Sequence, residues 1–123
     1  MSFSNYSLAM KVFSGKDKTF KALQSLVLSM SKVVKNSGKV SFFGKDKGKE
    51  AIEDFCKRLV EIKFAIHSDY NISFTQSDDN KIIDIMVTEL DKFKQCFPNW
   101  NDAYDFAAQF FTEERDFALK ILA

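Results

Sequence analysis

The chain has 123 residues, 46% of them apolar, with four Gly, one Pro, two Cys and a formal net charge of +1. That length suits one domain spanning 1–123 whose core forms without a metal or disulfide staple, and the composition excludes a largely disordered chain. The near-neutral total hides an asymmetry: residues 1–50 hold ten Lys against three acids, whereas residues 51–123 hold eight basic residues against fourteen acids.

Residues 4–14 read as a first short helix, capped by Ser4 or Asn5, with Leu8, Val12 and Phe13 inward and Gly15 ending it. Asp17 is the expected cap of a second helix, whose stripe is Phe20, Leu23, Val27, Met30 and Val34, widened by Leu26 and Val33. Asn36, Ser37 and Gly38 end it. The clearest amphipathic segment runs from about Lys47 to His67. There Ile52, Phe55, Leu59, Ile62 and Ile66 recur at spacings of three and four, and Lys57, Arg58 and Glu61 turn away.

A fourth helix, capped by Ser77 or Asp78, places Ile82, Met86, Leu90, Phe93 and Phe97 inward and closes at Pro98. A fifth starts at Asn99 or Asn101 and continues to the end of the chain. It carries more apolar residues than one stripe can use, from Trp100 and Tyr104 through Phe111 to Leu122, so it is either central or presents a face to another chain. Its run Glu113, Glu114, Arg115, Asp116 marks a solvated turn.

The expected fold is therefore all-α, a single-domain bundle of four to five helices with short ordered loops. The alternative is a small α+β fold with a minor two-stranded element, since polar and apolar residues alternate at 39–43 and 70–75.

Catalytic and cofactor motifs are tested and rejected. Gly44 to Lys49 lacks one residue of the P-loop spacing and is followed by Glu50 where a magnesium-holding Ser or Thr belongs. Asp69, Asn71 and Ser73 imitate the start of a calcium loop, but Phe74 replaces its obligatory Gly and Asn80 its bidentate Glu. Cys56 and His67 lie eleven residues apart on one helix, about 16 Å, beyond proton-transfer reach. The chain is read as a non-enzyme with no metal and no cofactor. Neither cysteine belongs to a CxxC pair, which suits buried thiols in a reducing compartment.

Binding remains. The sequences GKDKTFKAL at 15–23 and GKDKGKEAI at 44–52 repeat a Gly-Lys turn feeding a helix, and Lys16, Lys18, Lys45, Lys47 and Lys49 form a candidate anion or nucleic-acid contact. With only two Arg, bidentate readout of bases or phosphates is poorly provided for. Fourteen Phe and a segregated charge favour a protein partner.

The expectation is a protein-binding module, a stoichiometric inhibitor of immunity-protein, antitoxin or phage anti-defence type, from a bacterial or phage source. A nucleic-acid-binding domain using the basic N-terminal half is the alternative. Trp100, Tyr104 and Phe111 are the expected anchors and Asp105, Glu113 and Glu114 the steering charges for a basic partner, with a homodimer contact as the other use of the same residues. No apolar run approaches the roughly 18 residues a bilayer span requires, and no signal-peptide pattern precedes Phe13, so the expected location is cytoplasmic, away from membranes.

Overall fold

Gly15 takes a φ of 77°, in the left-handed region where a side chain is strained, and so separates α1 (Phe3–Val12) from α2 (Asp17–Asn36). The computed structural model describes residues 3–36, 47–71 and 79–123. Four further helices follow: α3 (Lys47–Tyr70), α4 (Asp79–Cys96), α5 (Asn101–Glu113) and α6 (Arg115–Leu122), with a 3₁₀ turn at Pro98–Trp100 between α4 and α5. The fold is an all-α bundle, and no strand occurs among the described residues. Tyr70 ends α3 and Asn71 turns away from it at φ 54°; residues 39–43 and 72–75 of the expected two-stranded element lie outside the described residues.

The helix pair with the most extensive contact is α2 on α3. The start of α2 meets the end of α3, where Lys18 Nζ donates to Ser68 Oγ at 3.0 Å and Thr19 N–H to Asp69 Oδ2 at 2.7 Å, so the two run antiparallel. Asp17 is the first helical residue of α2 and not its cap; the N–H of Thr19 at the third position, which has no acceptor within the helix, takes one from α3 instead. On its other side α2 packs on α5. The first of these carries four Lys and one Asp and the second three acids and no base, so the bipolar charge of the chain is partly matched inside the fold.

Two groups of rings fill the core. Phe13, Phe20, Phe93 and Phe97 join α1, α2 and α4, with centroids between 4.9 and 6.5 Å apart. Phe55, Phe106 and Phe110 join α3 to α5, and Phe110 reaches Phe117 of α6 at 6.2 Å. Tilted and edge-on contacts at these distances are the favoured ring geometries, which accounts for much of the Phe excess within the core.

Leu23, Leu26, Val27, Met30, Leu59, Ile62, Ile66, Ile82 and Met86 are fully buried, as their spacing requires. Two expected core residues are not. Ile52 is 46% exposed because the stripe of α3 shifts to Ala51 and Phe55 near its start, and Leu8 is 47% exposed because Ala9 of α1 and Phe13 just after it are the residues buried there. Val12 and Val34 are half-buried at stripe edges. The expected caps Ser77 and Asp78 lie outside the described residues, and α4 begins at Asp79.

The long fifth helix is two. At Glu114 the backbone leaves helical geometry (φ −114°, ψ 31°), and Arg115 is held by α4: Nε donates to Asn80 Oδ1 at 3.0 Å and Nη2 to Asp84 Oδ1 at 2.9 Å. The break divides the surplus of apolar residues: α5 buries Ala103, Tyr104, Ala107, Phe110 and Phe111 and α6, redirected, buries Ala118 and Leu122, while Phe117 stays 46% exposed. Glu113, Glu114 and Asp116 face solvent around the turn.

Candidate protein-docking groove

Pro98 sets up the site. It has no N–H to continue α4 and pushes Phe97 out of the helical region to φ −133° and ψ 75°, after which a single turn of 3₁₀ helix returns the chain against α4 as α5. Tyr104 latches the return: its buried hydroxyl donates to the Phe97 carbonyl at 2.7 Å. Burial pushes the Tyr104 phenol above its ordinary range, so at neutral pH the group is the protonated donor this bond needs.

On α4, Val87, Leu90, Asp91 and Lys94 fall at i, i+3, i+4 and i+7 and share one face. On α5, Tyr104, Ala107, Ala108 and Phe111 repeat the spacing. Between these faces lies a groove of about 120 Å³, with Asp105 completing its lining. Leu90, Tyr104 and Phe111 are buried and form the floor, while Val87, Asp91, Lys94, Asp105 and Ala108 are exposed and form the rim. The groove exists because α5 brings alanines to this face, where larger side chains would close it.

Among the described residues the carboxylates of Asp91 and Asp105 have neither an ion pair nor a hydrogen bond. Lys94 holds its Nζ 6.0 Å from the centre of the Tyr104 ring. An apolar floor with a charged, wet rim is the anatomy of a side-chain pocket at a protein interface.

Of the expected partner-binding residues, Tyr104, Asp105 and Phe111 meet in this groove, the two aromatics as walls committed to the core and not as free anchors. Trp100 is half-buried and lines a separate polar depression with Ser31, Asn99 and Asp102. Glu113 and Glu114 lie at the α5–α6 turn, where Glu113 accepts from Gln109 at 3.1 Å. Val87, Asp91, Lys94 and Ala108 escape a reading of the sequence, since the stripe rule assigns outward positions to solvent and no local signal tells which of them border a cleft. The exposed Val87, adjoining the buried Met86, was the one hint.

Of the lysines in the two Gly-Lys turns, the described Lys16 and Lys18 do not share a patch with Lys49. Lys16 and Lys18 stand at the start of α2, where Lys16 Nζ lies 4.6 Å from the Tyr70 ring centre and the Thr19 N–H is already taken by Asp69. Lys49 stands at the opposite end of the antiparallel pair, roughly 30 Å of helix from Ser68. Lys45 and the side chain of Lys47 lie outside the described residues. His67 occupies the last turn of α3, Cys56 is half-buried on the same helix, and Cys96 is buried at the end of α4, where burial raises its thiol pKa.

Among the described residues no three His, Cys, Asp or Glu side chains come together as a metal site requires, and no helix is long and apolar enough to cross a membrane. No protein-family model, curated protein or solved structure matches the chain.

Proposed function

We propose that this chain is a protein-binding module that acts stoichiometrically, masking a surface of its partner as inhibitors of the immunity-protein, antitoxin or phage anti-defence type do. The observation that carries the reading is the α4–α5 groove, whose floor of Leu90, Tyr104 and Phe111 is rigidly packed and whose volume of about 120 Å³ suits one inserted side chain. A standard interface of about 800 Å² per partner would take about a tenth of the 7691 Å² surface. The nucleic-acid reading draws less support, because Lys16 and Lys18 stand at the end of the α2–α3 pair opposite Lys49.

The test is capture of the tagged chain's partner from its source cells, followed by reconstitution from purified components. The expected result is a complex of defined stoichiometry that Ala108→Trp, which fills the groove from its exposed rim, abolishes without lowering the melting temperature. A chain that instead self-associates, with dimerisation lost in Ala108→Trp, would replace the foreign partner by a second copy. Binding indifferent to Ala108→Trp, or co-purifying nucleic acid lost on lysine replacement, would overturn the groove reading.

A further inference from the structure

The α4–α5 groove also describes the chemistry of what would fill it. Its volume of about 120 Å³ approaches the ~150 Å³ of an apolar cavity that admits one benzene ring, so a single Leu, Met or Phe side chain matches its apolar floor. At its mouth stand two carboxylates without partners among the described residues, Asp91 on one helix and Asp105 on the other. Among the described residues the rim's one cation is Lys94, whose Nζ lies 6.0 Å from the centre of the Tyr104 ring. The negative field extends along α5 and the following turn through the exposed Asp102, Glu113, Glu114 and Asp116.

An anchor entering this groove brings its chain neighbours against Asp91 or Asp105 in either chain direction, because the two acids sit on opposite walls. An apolar neighbour would strip water from a carboxylate and give nothing back; a Lys or Arg would replace that water with a charge-assisted hydrogen bond, about twice as strong as one between neutral groups. A second copy is disfavoured on the same grounds. A two-fold contact centred on the groove is isologous, and would set the Asp91 and Asp105 of each copy against those of the other.

Resting on the protein-binding reading above, we infer that the occupant is a segment of a partner protein that inserts one apolar side chain and sets a lysine or arginine beside it. The apolar residue supplies the buried contact, and the flanking cation supplies orientation and speed of encounter.

The experiment pans a library of displayed random twelve-residue peptides on the full chain at physiological salt. The expected winners share one Leu, Met or Phe with Lys or Arg within a few positions, and lose at least about tenfold in affinity against Ala108→Trp. Panning on the double variant Asp91→Lys, Asp105→Lys shifts the winners to Asp or Glu flanks. Both residues are exposed, so this variant keeps its fold, which its melting curve checks. Val87→Glu blocks the groove from the other wall should Ala108→Trp fold poorly. Groove-dependent winners with acidic or neutral flanks would overturn the basic occupant while leaving the docking reading intact. Winners indifferent to both groove-blocking variants, or no enrichment at all, would overturn both.

Discussion

Asp69 Oδ2 lies 2.7 Å from the backbone nitrogen of Thr19, so the carboxylate that satisfies the first turn of α2 is supplied by the last turn of α3, fifty residues later. The contact ties helix capping to tertiary packing: the Thr19 N–H has its acceptor only when α3 is docked. Replacing a cap side chain with Ala costs about 0.5–2 kcal/mol, and Asp69→Ala is expected to fall in that range in a urea titration, with Asp69→Asn retaining most of the stability. Since α2 and α3 dock together, the loss should appear as one cooperative transition. A second, earlier transition would show that α2 folds independently of this contact.

Lys63 makes a similar connection deeper in the bundle. Its Nζ lies 3.0 Å from Asp79 Oδ1 at the start of α4 and donates to the Leu122 carbonyl at the end of α6, with both side chains of the ion pair largely buried. Breaking a buried pair by removing one partner costs about 3–5 kcal/mol, whereas replacing both with apolar residues of similar size is often neutral. Asp79→Leu or Lys63→Met alone is expected to be strongly destabilising and the double variant much less so. Simple additivity in a double-mutant cycle measured by chemical denaturation would refute the coupling.

Alkaline pH should unfold the protein by a defined route. Burial raises the pKa of both Tyr70 and Tyr104, and the neighbouring Glu89 carboxylate adds to the shift at Tyr70. A phenol whose folded pKa lies above its unfolded value of about 10 keeps its proton longer in the native state. Its contribution to stability is complete below about pH 10 and is lost as pH rises through the folded value. Stability is therefore expected to be flat with respect to these groups up to about pH 10 and to fall above it, with the phenolate absorbance of both tyrosines appearing together with loss of helical circular dichroism. Ionisation of Tyr70 and Tyr104 with the fold intact would contradict the burial argument.

The helices were legible because four segments carry long three-and-four stripes, and Leu59 and Ile52 show where that legibility stops. Both sit on the same sequence stripe of α3, yet Leu59 is fully buried and Ile52 is 46% exposed, because a stripe specifies a face and not how far along the helix its neighbours extend. Leu59→Ala is expected to cost about 2–5 kcal/mol. Ile52→Ala should cost much less, and equal losses in denaturant titrations would show that the exposed half of Ile52 is covered. The break at Glu114 was illegible for a different reason. No Gly or Pro marks it, and the force that holds it is the contact of Arg115 with Asn80 and Asp84, more than thirty residues away in sequence. The groove depends on two such long-range facts, the return of α5 against α4 and the small residues it brings there, so of its exposed rim only Asp105 could be named in advance.

Tyr104 separates the stability of the groove from its binding role. The hydroxyl holds the Phe97 carbonyl at the α4–α5 return, while the ring forms part of the floor. Tyr104→Phe removes the donor, keeps the ring, and leaves a buried carbonyl short of its partner, an unsatisfied group that costs about 1–3 kcal/mol. The melting temperature is expected to fall accordingly, and amide exchange at the 98–101 turn to accelerate because the latch acts there. Below the transition the floor is unchanged, so affinity for a groove-binding peptide should stay within about twofold of the parent. Tyr104→Ala, by contrast, takes away both latch and floor and should lose stability and binding together. If Tyr104→Phe alone abolishes binding at temperatures where the protein is fully folded, the hydroxyl contacts the partner directly and the assignment of Tyr104 to the floor is wrong.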